Sequence, residues 1–195
     1  MSAGLKANAD GSAAIQVGGS DAITITSGLV VSMNGGAVYP ITSGTAVTVS
    51  GTSVDFTGIP STAKRVTVML SGVSTNSTGL LMLQLGDAGG VETSGYAGGY
   101  FVLRGGAVAS TTALSAGVTL SDSSAAVSVY AAQVVFTLLS GNIWTFSGIC
   151  ARTDTASGLY TAGTKTLSDT LDRVRLTTNT GTDTFDAGTI NILWE

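Results

Sequence analysis

Histidine is absent from this chain, cysteine occurs once, at Cys150, and proline twice, at Pro40 and Pro60. The first absence removes Ser-His-Asp and Cys-His nucleophile relays and any His-ligated zinc site. The second removes an intrachain disulfide. Cys150, set in the run Ile149-Cys150-Ala151, reads as a small buried hydrophobe on a strand. Charge is scarce too: Asp, Glu, Lys and Arg make up 10% of the residues, against about 25% in an ordinary soluble domain. The Lys and Arg total 8 and are scattered, against 12 Asp and Glu, for a net charge of −4. No basic patch is there to neutralise phosphates, which argues against a nucleic-acid partner. No basic amphipathic segment points to a membrane surface. The longest apolar run, residues 130–139, is broken by Gln133 and Thr137 and falls well short of the ~20 residues of a membrane span. No nucleophile elbow, P-loop or dinucleotide fingerprint occurs.

What the chain does have is apolar content. Hydrophobic residues stand at 44%, and the mean hydropathy is +0.42. A length of 195 residues allows one domain of sandwich size plus an extension. With so few charges, part of the apolar surface is expected to be covered by sister subunits or by another protein.

Short alternating pieces run through residues 1–52. Residues 13–17 and 22–26 are separated by Gly18-Gly19-Ser20-Asp21, and residues 29–33 and 37–41 flank Asn34-Gly35-Gly36. Asn-Gly favours the positive φ values of a tight hairpin turn. Residues 45–50 alternate again. Hairpins this short are marginal alone in water, so the segment is expected to be an arm that lies on something. From Ser53 the pattern is denser. Residues 64–73 read as a strand with Val66, Val68 and Leu70 on one face. Residues 80–85 are apolar on both faces, as in a strand covered on both sides. Residues 86–99 read as a long glycine-rich loop, 100–103 as a short strand, and 105–124 as loop with short strands. Residues 126–130 and 134–139 read as strands, and 134–150 as a hairpin turning at Ser140-Gly141-Asn142, with Trp144 and Phe146 on one face. Residues 171–176 alternate, and 188–195 place Ile190, Ile192 and Trp194 together. Helical periodicity is missing. The expectation is an all-β chain: a β-rich arm over 1–52 and an antiparallel, jelly-roll-like β-sandwich over 53–195.

Candidate chemistry is thin. The glycine-rich 86–99 stretch lacks the Lys-Ser/Thr and the helix of a phosphate cradle. A glycosidase needs two carboxylates. Asp154, Asp169, Asp172, Asp183 and Asp186 are available, but all sit in or beside Thr/Ser/Gly turns, where Asp bonds its own backbone. Asp183 and Asp186 with nearby carbonyls could also form a calcium site, although the dense alternating ligands of a dedicated cation loop are missing. Tyr96, Tyr100 and Tyr160 lie in glycine-rich or turn regions. There they are candidate glycan contacts, since loop aromatics stack on sugar rings; the competing reading has them covering the ends of the sandwich or an interface.

The stretch VDFTGIPSTAKRVTVMLSGVSTNST, the LLMLQLGDAGG that follows, and the ending FDAGTINILWE resemble a β-domain common in tailed-bacteriophage virion proteins. That domain recurs at the tips of tail fibres and tailspikes and in capsid-surface proteins. The resemblance covers about residues 54–195. ANADGSAAIQVGGSDAITIT also resembles repeat segments near the start of phage fibre proteins. The resemblance implies a β-sandwich homotrimer with no catalytic residues and no cofactor. Residues 1–8 lack the apolar core of an export signal, which fits a virion component made in the host cytoplasm. The chain departs from long fibres in having no shaft and no coiled coil. A short arm with a sandwich suits a trimeric capsid cement, or decoration, protein that sits on the shell, with the major capsid protein as partner. The alternative is a short tail-fibre tip or adhesin that recognises host surface glycan. A polysaccharide-degrading enzyme is the weakest reading, for want of a carboxylate pair.

Overall fold

Alternation along one long strand fixes the core. The computed structural model describes residues 3–7, 9, 13–17, 20–25, 31–33, 36–38, 40–122 and 124–195. It divides into two units, Met1–Ile41 and Thr42–Glu195.

In the first unit, β1 (Ala3–Ala7), β2 (Ala13–Val17), β3 (Ser20–Ile25), β4 (Val31–Met33) and β5 (Gly36–Val38) form one sheet in chain order. Every pairing is antiparallel. Met33 stands opposite Gly36; the expected turn residues Asn34 and Gly35 lie outside the described residues, as do Gly18 and Gly19.

The second unit holds β6 (Thr42–Ser43), β7 (Val47–Thr48), β8 (Ser53–Thr57), β9 (Arg65–Thr75), β10 (Leu81–Asp87), β11 (Gly90–Val91) and β12 (Tyr96–Arg104). It continues with β13 (Ala107–Leu114), β14 (Val118–Thr119), β15 (Tyr130–Ser140), β16 (Ile143–Arg152), β17 (Ser157–Thr166), β18 (Arg173–Thr178) and β19 (Phe185–Trp194). One sheet runs β11-β10-β18-β8, with β14 also on β10. The other runs β13-β12-β17-β16-β15-β9-β19-β6, with β7 also on β19. The chain is thus all-β and antiparallel among the described residues, and in the second unit two sheets enclose one core.

On β9, Val66, Val68 and Leu70 turn inward and are buried, and so do Ile190 and Ile192 on its neighbour β19. Val134 and Phe136 on β15 and Trp144, Phe146 and Cys150 on β16 extend that face. Opposite them lie Leu81, Leu83 and Leu85 on β10 and Val174 and Leu176 on β18. All belong to one hydrophobic cluster. β10 is buried along its whole length, because its outward residues are also covered: β14 pairs with Met82 and Leu83, and Gln84 Nε2 donates to the Ala116 carbonyl at 2.9 Å.

Four expectations change. The sandwich begins at Thr42 rather than Ser53: β6 and β7 pair with β19, Gly51 bridges Phe185, and Val49 is buried in the core. The 86–99 loop is mostly strand, split among β10, β11 and β12. Two of its glycines, Gly86 and Gly98, mark close backbone approach. A Cβ at Gly98 would lie 2.3 Å from the Ala162 carbonyl oxygen, and one at Gly163 would lie 2.4 Å from that of Ala97. Residues 125–128 form a turn, closed by Ser128 N–H to the Ala125 carbonyl at 2.8 Å, so β15 starts at Tyr130. Finally, β13 is a full strand where loop with short strands was expected, and β17 is a full strand although Tyr160 was expected in a glycine-rich or turn region.

Candidate functional site

The three tyrosines do not form a loop cluster. Tyr96 and Tyr100 lie on β12 and face the core, with 3% and 8% exposure. The Tyr96 hydroxyl oxygen accepts from Leu85 N–H at 2.6 Å, and its proton can go to the Glu92 carbonyl at 3.1 Å. Burial pushes its ionisation well above the ordinary tyrosine range. It therefore bonds one sheet to the other across the core. Tyr160 is exposed on β17 and stacks on Phe101 of β12.

The carboxylates are held locally. Asp154 pairs with Arg152, whose hydrogen bonds pull its carboxyl down to about 2. Asp169 Oδ1 accepts from Thr170 N–H at 2.7 Å, Asp172 pairs with Arg173 at 2.9 Å, and Asp186 accepts from the Ser74 hydroxyl. Asp183 Oδ2 is buried against Gly79 with no hydrogen-bond partner among the described residues. Among the described residues no three Asp, Glu or Cys groups gather to hold a metal. Burial pushes the Cys150 thiol up to about 12, so it stays protonated and inert.

The main polar cluster was not visible in the sequence. Lys165 on β17 is 4% exposed and pairs with Glu92. Its ammonium also donates to the Thr166 carbonyl at 2.9 Å and sits 5.4 Å from the Tyr96 ring centroid. Ser168 N–H donates to Glu92 at 2.7 Å, and the Ser168 hydroxyl lies 2.8 Å from Glu92 and 2.6 Å from Asp87. One hydroxyl proton serves one of these carboxylates at a time. Hydrogen bonds from Ser168 and from Gly89 N–H hold Asp87 below its ordinary value. Burial pushes Glu92 up, but the hydrogen bonds from Lys165 and Ser168 outweigh it and hold the carboxyl low. Because Asp87 ends β10 and Lys165 lies on β17, the cluster clasps the two sheets together. Its ammonium is engaged by a carboxylate and a carbonyl, which is the chemistry of a clasp rather than of a nucleophile.

Both outer faces of the sandwich carry an ion pair, Arg65 with Glu195 on the larger sheet and Asp55 with Arg175 on the smaller. On the smaller sheet Asp55 and Arg175 stand opposite one another in a two-bond ion pair, at 2.7 Å for each bond. On the larger sheet one outward row crosses six strands: Phe101, Tyr160, Ile149, Gln133, Met69, Asn191. The next row reads Gly99, Ala162, Ser147, Val135, Thr67, Leu193. A third holds Val108, Leu103, Gly158, Ala151 and Ala131. None of these residues is charged. Phe101, Ile149 and Val108 are 43%, 56% and 60% exposed, an unusual concentration of apolar surface on one face. At the other edge of the sandwich, a cleft of about 300 Å³ opens between Phe56 and Ile59 on one side and Ile192 and Trp194 on the other, rimmed by Ser43, Thr45 and Thr57.

No family model, curated protein or solved structure matches the chain. Among the described residues no helix is long and apolar enough to cross a membrane.

Proposed function

We propose that this is a structural virion protein: a homotrimeric capsid cement protein whose jelly-roll-like sandwich stands on the outer shell of a tailed bacteriophage. The observation that carries the reading is the pairing of two of the segments on which the phage resemblance rests, the first and the last of the sandwich. They lie far apart in the chain, yet β9 and β19 run side by side, with Val66 opposite Trp194, Val68 opposite Ile192 and Leu70 opposite Ile190. Residues that resemble the same domain at both ends thus build one central element of one core. The local partners that hold Asp154, Asp169, Asp172 and Asp186, and the buried thiol, fit a non-enzymatic role. A protein that binds only the assembled shell stabilises it by mass action, so the partner is the major capsid protein.

The test is binding to undecorated shells. Purified protein should co-sediment with expanded shells and raise their melting temperature in proportion to occupancy; protein that stays in the supernatant at saturating concentration overturns the reading.

A second reading, a tail-fibre tip that recognises host glycan, is favoured by the cleft at Phe56 and Trp194, whose uncharged aromatic walls and hydroxyl rim suit a neutral sugar. It relocates glycan contact away from Tyr96 and Tyr100, which are buried.

A further inference from the structure

We propose that a small pocket at one end of the sandwich, lined by Lys64, Ser61, Asn142 and Thr170, binds a carboxylate group. It lies where β9 begins and where β15 turns into β16. Three observations point to that ligand.

The first is charge. In the second unit Arg65, Arg104, Arg152, Lys165, Arg173 and Arg175 each have a carboxylate partner. Lys64 is the remaining basic residue of that unit, and among the described residues it forms no ion pair. Its backbone is fixed on both sides: its N–H donates to the Glu195 carbonyl at 2.6 Å, and its carbonyl accepts from Leu138 N–H at 2.8 Å. The uncommitted ammonium therefore hangs from a rigid point at the pocket.

The second is the set of donors. The Ser61 and Thr170 hydroxyls and the Asn142 amide line the same pocket. Among the described residues none of these side chains has a hydrogen-bond partner. No Asp or Glu lines the pocket. Asp169, next to Thr170 in the chain, is engaged by the Thr170 N–H at 2.7 Å. One ammonium with neutral donors around it matches a single negative charge. A doubly charged phosphate would keep one charge uncompensated, in a chain that already carries −4.

The third is size. The pocket encloses about 100 Å³, the liquid volume of roughly three waters. That admits a carboxylate and one or two carbons, and excludes a whole sugar ring. The remaining lining is apolar and includes Trp144 and Leu171, both 3% exposed, which suits the methylene next to the carboxylate. A few placed donors in an apolar pocket fix a ligand's orientation. The carboxylate has two possible sources, a short free acid or the end of an acidic side chain on a partner protein.

The experiment is an NMR titration at constant ionic strength, read on the Trp144 indole N–H and the Asn142 side-chain amide. The probes are propionate, its neutral counterpart propionamide, and a blocked Gly-Glu-Gly peptide. Propionate or the peptide should give saturable shifts, with propionamide binding at least tenfold more weakly. K64Q should weaken binding roughly tenfold or more, the worth of a charge-assisted hydrogen bond. T170V keeps the shape of its side chain and serves if K64Q folds poorly; it should weaken binding roughly threefold or more, the worth of a neutral hydrogen bond. Tighter binding of propionate assigns the pocket to free acids, and tighter binding of the peptide assigns it to an acidic side chain; either result upholds the carboxylate site. No saturable shift with either probe up to about 100 mM, equal binding of propionamide, or unchanged affinity in folded K64Q or T170V overturns it.

Discussion

The Phe101 ring lies 5.1 Å from that of Tyr160, nearly parallel to it, on the solvent side of adjacent strands. Stacked cross-strand pairs of this kind couple by about 0.5–1.5 kcal/mol beyond the area they bury. F101A and Y160A should each lower stability. In a double-mutant cycle followed by urea unfolding, the two losses should fall short of additivity by about 1 kcal/mol. Additive losses would show that the rings are neighbours without being partners.

Acid should loosen the clasp. Asp87 and Glu92 are both held below their ordinary values of 3.8 and 4.5 in the folded chain. A carboxyl with a lowered folded value contributes stability above its unfolded value and loses it as pH falls toward the folded one. The urea midpoint should therefore hold steady from pH 7 to pH 5 and drop as pH falls below about 4.5. E92Q should flatten part of that drop. K165M should destabilise the protein at pH 7 by roughly 2–4 kcal/mol, because it leaves Glu92 without its ammonium. An acid profile that E92Q leaves unchanged would remove Glu92 from the account.

Gly163 should tolerate no side chain. Its Cβ would meet the Ala97 carbonyl oxygen at 2.4 Å and the Gly98 Cα at 2.7 Å, both backbone atoms of the neighbouring strand. G163A should cost about 1–3 kcal/mol by forcing β12 and β17 apart. G158A, whose nearest new contact is 3.9 Å away, should cost less than half of that. Equal melting temperatures for the two variants would contradict the close approach.

Truncation separates the two units. Residues 42–195 contain both sheets and the whole core, so a chain lacking residues 1–41 should unfold cooperatively within a few degrees of the full-length protein. A chain lacking residues 1–52 also loses β6, β7 and the buried Val49. It should melt at least 10 °C lower, as expected when one edge of a sheet is removed. Identical melting curves would return the boundary to residue 52.

How far the sequence revealed this fold depended on where apolar side chains alternate. β9, β19 and the β15–β16 hairpin were legible because Val66, Val68, Leu70, Ile190, Ile192, Trp144 and Phe146 mark the inner face at every second position. β17 was not, because its inward positions include Thr161, Gly163 and Lys165 and resemble turn composition. The start of β12 failed for the same reason, with glycine at 98 and 99. The arm boundary was misplaced because residues 45–50 look like the short pieces before them; only their pairing with β19 assigns them to the sandwich. Val127 misled in the opposite direction, being apolar yet 76% exposed in a turn. The clasp left no sequence signal, since Glu92 and Lys165 are separated by 73 positions and Asp87 and Ser168 by 81.

The central claim is that this protein coats a capsid as trimers, and the most direct test is its copy number per virion, counted by quantitative mass spectrometry against the major capsid protein. The account predicts hundreds of copies, in threefold multiples matched to shell positions. A handful of copies, present only at the tail, would contradict it.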